Sequence, residues 1–265
     1  MINLHDGDAV IVGIDGSAAA IYAAHWAVEE AKARDVPLRL VSCTPRTEES
    51  DRMATEYAAT CLRAAHAAIE DTGQQVKIET AIVDGRPAAA LIEASQQASM
   101  VCVGSVGIGR FAKALLGSTA DELAEDAMCP VAVIRSYIRR QQWPRGSIAA
   151  EMNDGDNNDL VIATAVAEAQ LRMLPVIIAG VCPPTTGLSA RDELTRRAAI
   201  WQRRYPAVSI TATPIATSFI HFLREPAESI SLVVIGNQDS ADLPSIIGAH
   251  TDVNLGNPSV LIARP

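Results

Sequence analysis

The residues best suited to chemistry lie between positions 104 and 119. Gly104-Ser105-Val106-Gly107 is followed by nine residues and then by Gly117-Ser118-Thr119. The first glycine closes an apolar run. Ser118 opens a segment of helical spacing, with Asp121 placed as in a capping box. A helix start carries unpaired N–H groups and a partial positive charge, so it attracts phosphate. Glycines let the main chain bend and approach a ligand with no Cβ in the way. The hydroxyls of Ser118 and Thr119 can add donors or hold a metal through water. The stretch is not a Walker A loop, because no Gly-Lys-Ser/Thr follows at the required spacing. A weak dinucleotide pattern, Gly107-Ile108-Gly109-Arg110-Phe111-Ala112, comes after the fourth apolar run and not between the first strand and first helix, where pyrophosphate recognition needs it. A plain turn is the competing account of the same glycines.

Such a cradle needs rigid elements to hold it. Val10-Ile11-Val12-Gly13-Ile14 reads as a buried strand that ends in the turn Asp15-Gly16-Ser17. Residues 18–34 have the spacing of an amphipathic helix, and Leu38–Ser42 is a second strand. A helix over 51–70, a strand over 76–82 and a helix from Pro87 to about Gln97 follow. Met100–Val103 makes the fourth strand and Pro130–Ile134 the fifth. Alternating strands and helices predict an α/β fold with a parallel sheet covered on both faces. Ligands of such sheets bind outside the strand carboxyl ends. Asp15, Val41 and Gly104 all fall there, although Asp15 in Asp-Gly-Ser is also a common turn former.

The pattern then repeats. Pro37 and Pro175 each follow an alanine-rich helix containing Glu-Ala and precede an apolar strand. Val101–Gly104 is echoed by Val233–Gly236, and Cys129–Ile134 by Asn257–Ile262. Residues 1–136 are expected to form one domain, 137–146 a linker and 147–265 a second, related domain.

A formal net charge of −9 argues against DNA or RNA as a partner, which would need a basic face. It does not oppose a nucleotide held by main-chain amides. Five cysteines without a CxxC pair read as thiols in a reducing compartment. No signal peptide or transmembrane run is expected, and the expected location is cytoplasmic. The five histidines show no HExxH spacing, and no GxSxG elbow is present. Trp201 and Tyr205 read as core anchors of a helix, with an exposed partner site as the alternative.

Val12-Gly13-Ile14-Asp15-Gly16-Ser17, the Gly-x2-Gly-x9-Gly-Ser loop and Cys129-Pro130-Val131-Ala132-Val133-Ile134 together resemble the ATP-binding universal stress proteins, and the repeat resembles their tandem members. The resemblance implies two tandem, open, twisted five-stranded parallel sheets flanked by helices, of the adenine-nucleotide alpha-hydrolase-like kind. It implies ATP as ligand, with Mg2+ beside the phosphates. Asp15 would lie beside adenine and ribose, and the backbone of Val41 would read the adenine edge. Gly104, Gly107, Gly117, Ser118 and Thr119 would form the phosphate loop. It further implies a stress-response, growth-regulating role read by a protein partner. The two domains would form an internal pseudo-dimer, and a dimer zipped along the last strand is the implied assembly. An enzyme, a slow ATPase or a nucleotidyl-transfer relative, is the alternative, and a module with idle sites is a third reading.

The second domain departs from this pattern. Asn153 stands opposite Asp15, Asp239 replaces the second loop glycine, and Gly248-Ala249-His250 replaces Gly117-Ser118-Thr119. A carboxylate facing a phosphate pocket repels its ligand. ATP binding is therefore expected in the first domain alone.

Overall fold

The computed structural model describes residues 7–44, 51–106, 116–135, 146–183, 187–224, 230–247 and 258–265. Contacts divide the chain into two compact units, Met1–Ser136 and Tyr137–Pro265.

The first unit runs β1 (Val10–Gly13), α1 (Ala18–Arg34), β2 (Leu38–Thr44), α2 (Asp51–Glu70), β3 (Ile78–Asp84), α3 (Pro87–Ala94), β4 (Met100–Gly104), α4 (Ser118–Asp126) and β5 (Val131–Ile134). Its strands lie in the order β3-β2-β1-β4-β5, all parallel. The chain steps outward from β1 through β2 to β3, then crosses back to lay β4 on the other side of β1. That reversal leaves a crevice at the carboxyl ends of β1 and β4. The central strands are continuous apolar runs, as a sheet covered on both faces requires. Val10, Val12, Leu38, Leu40, Val101 and Cys102 are fully buried.

The second unit runs β6 (Ser147–Glu151), α5 (Asn158–Arg172), β7 (Val176–Val181), α6 (Gly187–Arg204), β8 (Ile210–Ile215), α7 (Phe219–Leu223), β9 (Ile230–Gly236), a 3-10 turn over Asn237–Asp242, α8 (Leu243–Ile247) and β10 (Ser259–Ala263). Its order, β8-β7-β6-β9-β10, repeats the first unit's topology strand for strand. The repeat extends to detail. Buried Glu30 pairs with Arg34 four residues on, and Asp35 then ends α1 at φ 54°. Buried Glu168 pairs with Arg172 at 2.9 Å, and Met173 ends α5 at the same φ of 54°. Each left-handed residue closes its helix by donating its N–H to a carbonyl one turn back.

Two sequence expectations need adjustment. Helix α3 stops at Ala94, three residues short of Gln97, because Ser95 turns its hydroxyl back to the carbonyl of Ile92 at 2.6 Å and receives the amide of Met128 at 2.8 Å. Trp201 and Tyr205 are only half-buried. They stack on each other on α6, centroids 6.0 Å apart, with the Arg204 guanidinium over both rings, and do not anchor the core.

Candidate functional site

One cavity of about 430 Å³ opens at the carboxyl ends of β1, β2 and β4, a volume ordinary for a small-ligand site. Asp15, Val41, Gly104, Gly117, Ser118 and Thr119, which the sequence analysis named separately, all line it. Gly107 and Arg110 lie outside the described residues. A wider groove of about 840 Å³ between α2 and β3, lined in part by Arg52, Arg63 and His66, gathers none of these residues.

Asp15 sits where β1 hands the chain to α1. Its Oδ1 accepts the Ser17 amide at 2.9 Å, and Gly16 takes the left-handed φ of 85° that this tight turn demands. Ser17 then caps α1 by accepting the Ala20 amide at 3.1 Å. The turn-former reading of Asp15 is thus physically realised. It coexists with an exposed carboxylate at the cavity wall. Asn153 reproduces the turn in the second unit, accepting the Gly155 amide at 2.9 Å.

Val41 lines the cavity, but its carbonyl accepts the Ile14 amide at 2.7 Å and so serves the sheet. Main-chain groups on one edge of a strand recur every second residue. The next residue turned the same way is Cys43, and the register with β1 has ended at Gly13 opposite Val41. The main-chain edge offered to a ligand is therefore that of Cys43, two residues beyond Val41. Its half-buried thiol is pushed up to about 11 by burial, which leaves it protonated and a poor nucleophile near neutrality.

The glycines divide their work. A Cβ at Gly104 would stand 2.7 Å from the carbonyl carbon and Cβ of Ala19 and 2.9 Å from the Ala20 nitrogen. Gly104 is thus required by the close packing of β4 against the first turn of α1, a constraint independent of any ligand. Gly117 lines the cavity itself. Its amide donates to the Ser105 carbonyl at 2.7 Å, and the Ser105 amide donates to Ile134 at 2.8 Å, so both ends of the loop are tied to the sheet. Gly117, not Ser118, is the N-cap of α4, in extended conformation and with no side chain to cap the helix. The capping-box spacing of Ser118 and Asp121 is not used, because Ser118 is already the first helical residue. Asp121 donates its amide to Gly117, and the amides of Ser118, Thr119 and Ala120 have no acceptor among the described residues. A helix with a bare first turn facing a cavity is built to receive an anion. No lysine or arginine lines the cavity among the described residues.

Sequence reasoning missed the contribution of α2. Ala54, Tyr57 and Ala58 line the cavity, and the Tyr57 hydroxyl donates to the Asp15 carbonyl at 3.3 Å. Their i, i+3, i+4 spacing puts them on one helix face, but only the sheet order reveals that this face meets the strand ends.

The corresponding place in the second unit holds a cavity of about 110 Å³. The 3-10 turn and α8 follow β9 there, and Gln238, Asp239, Asp242 and Ile246 reach into the space. Glu151 joins them from β6. Burial, and then the nearby charges of Asp239 and Asp242, hold its carboxyl above the usual range. Burial also raises Asp239, with Asp242 adding to the effect and a backbone hydrogen bond from Gly236 opposing it. Gly248 and His250 lie outside the described residues.

Among the described residues no helix is long and apolar enough to cross a membrane. Residues 8–135 match the model of the universal stress protein family. A universal stress protein of Mycobacterium tuberculosis strain H37Rv is 42% identical over 261 residues, which cover 96% of each chain. Another from the same strain is 34% identical over 259 residues, covering 92% of this chain and 91% of its own. In fold, the chain is similar to the crystal structure of a universal stress protein from Archaeoglobus fulgidus DSM 4304, with a TM-score of 0.70 over 99% of this chain and 98% of that one at 15% identity. The repeated topology, the cavity at the switch in strand order and these relatives lead to one conclusion: the chain belongs to the universal stress protein family.

Proposed function

We propose that the first unit binds ATP and that the protein acts as a nucleotide-responsive regulator in the stress response of its cell. The observation that carries this reading is the meeting of Asp15, the Cys43 edge of β2 and the bare start of α4 around one cavity. In this arrangement the main-chain edge at Cys43 pairs with adenine, Asp15 faces the ribose, and the phosphates rest on the amides of Ser118, Thr119 and Ala120. Partial positive charge from α4 balances the ligand where lysine would otherwise be needed. Mg2+ would be held mainly by the phosphates themselves, with the Ser118 and Thr119 hydroxyls as neighbours. Among the described residues no cluster of three or more His, Cys, Asp or Glu side chains could hold a metal alone.

The reading is one of binding, not turnover. Asp15 is the single carboxylate in the described lining, and no histidine lies beside it. Binding instead selects among conformations, and a protein partner or a second copy of the chain reads the result. The second unit does not share the ligand. Its cavity is small and lined by carboxylates that repel phosphate.

The test uses Ser118→Pro. Gly117 has φ −81° and ψ 146°, the extended geometry that a following proline favours, and Ser118 is the first helical position, where proline fits. The substitution removes one phosphate-facing amide while α4 is kept. Hydrogen bonds to charged groups contribute about 1.5–3 kcal/mol, so the affinity for labelled ATP in equilibrium dialysis should fall by about 10- to 150-fold. Ser118→Ala isolates the hydroxyl. Equal binding by wild type and Ser118→Pro would end the assignment.

A further inference from the structure

We infer that Tyr57 is the gate of the first unit's cavity, its ring forming a wall for the base and its hydroxyl a latch across the mouth. The inference rests on the reading of this cavity as an adenine-nucleotide site and names how that site discriminates and admits its ligand.

Aromatic residues make up 4% of the chain, and Tyr57 is the aromatic ring that reaches the described lining of this cavity. It projects from α2 between Ala54 and Ala58, whose small side chains leave room beside it. A planar base seated against the Cys43 edge needs an apolar or aromatic face to rest on, and stacking on a ring accepts any base in proportion to its π surface.

The latch is the second observation. The Tyr57 hydroxyl donates to the carbonyl of Asp15 at 3.3 Å, joining α2 to the turn between β1 and α1 across the cavity. Tyr57 is nevertheless 54% exposed. An exposed side chain held by one long hydrogen bond changes rotamer rapidly, so the latch opens without unfolding α2. Closed, it covers the ligand and holds the turn that carries Asp15. Open, it frees the mouth. In the second unit α6, the counterpart of α2, contributes no described residue to the lining of the small cavity. The aromatic ring that lines the small cavity is Phe219 of α7, so a tyrosine projecting from the helix after the second strand accompanies the open cavity alone among the described residues.

Stopped-flow binding of a fluorescent N-methylanthraniloyl ATP, with competition by unlabelled ATP and CTP, tests this on the full chain. Tyr57→Phe keeps the ring and loses the latch. It should raise both association and dissociation rates severalfold while the Kd stays within about threefold of wild type. Tyr57→Ala loses both. It should weaken ATP roughly tenfold, as loss of one base stack does, and shrink the preference for ATP over CTP. Tyr57→Leu, which keeps bulk without a π face, should fall between them in affinity. If wild type binds ATP and Tyr57→Ala matches it in affinity and base preference, the gate is wrong and the site stands. If wild type binds neither nucleotide, the site reading fails and the gate with it.

Discussion

Replacing Gly104 with alanine separates two explanations of one residue. A glycine beside a phosphate cradle is ordinarily explained by close approach of the ligand. The geometry gives another cause. The new Cβ would lie 2.7 Å from the carbonyl carbon and Cβ of Ala19 and 2.9 Å from the Ala20 nitrogen, where ordinary contact begins near 3.4 Å. About 0.7 Å of separation must be found, and two of those three atoms are main chain in the first turn of α1, not the tip of a flexible side chain. Overpacking of this kind costs about 1–3 kcal/mol, which for a unit of this size is a melting shift of roughly 3–10 °C. The displaced turn carries Ser17 and Ala20, which also line the cavity, so ATP affinity should fall with stability. Thermal unfolding of the ligand-free protein, followed by ATP titration calorimetry, reads both quantities. Adding Ala19→Gly removes one of the clashing atoms and should restore part of the lost stability. A Gly104→Ala protein that melts with wild type yet binds ATP poorly would refute the helix-packing argument and return the glycine to the ligand.

Other expectations follow from the same geometry. Gly236 occupies the place of Gly104 in the second unit, but the three atoms nearest a Cβ there, at 2.5–2.7 Å, all belong to the side chain of exposed Gln238, which can swing away. Gly236→Ala should shift the melting temperature by less than about 2 °C, consistent with a ΔΔG below about 0.5 kcal/mol. Arg39, 2% exposed, donates to Glu79 Oε2 from Nε at 3.0 Å and from Nη2 at 2.9 Å. Glu79→Ala leaves that cation buried and should cost about 3–5 kcal/mol in denaturant unfolding, while Arg39→Met should cost less. Glu151 and Asp239 have raised folded pKa values, so the folded second unit holds protons more tightly than the unfolded chain. Its stability should therefore rise as pH falls from 7 toward the carboxylate range, and be lost as pH rises through the raised values. The double variant Glu151→Gln, Asp239→Asn should show a smaller difference between pH 5 and pH 7 in chemical denaturation than wild type. An identical difference would mean that these carboxylates do not carry it.

Much of the architecture was legible in the residues alone. Continuous apolar runs such as Met100–Val103, alternating with helices rich in alanine, can be buried on both faces only in a parallel sheet, and this follows from local pattern. The tandem repeat was visible because Pro37 and Pro175, or Gly104 and Gly236, mark the same places in the same order. Seven candidate site residues could be named because strand ends and a helix start are local features of the chain, and six of them line one cavity.

Other decisions belonged to the tertiary structure. The choice between Val41 and Cys43 as the ligand-facing edge depends on where β1 stops along β2, and no property of Val-Ser-Cys alone reports that register. The need for glycine at 104 comes from Ala19 and Ala20 of α1, more than 80 positions earlier in the chain, and arises only when α1 docks on β4. Tyr57 looked like any helical tyrosine until the sheet order brought α2 over the strand ends. The sequence determined which elements form, because propensity and hydrophobic period act within a few residues. Only folding decided which of their faces and edges share a cavity, because those contacts join positions such as Tyr57 and Asp15, 42 residues apart in the chain.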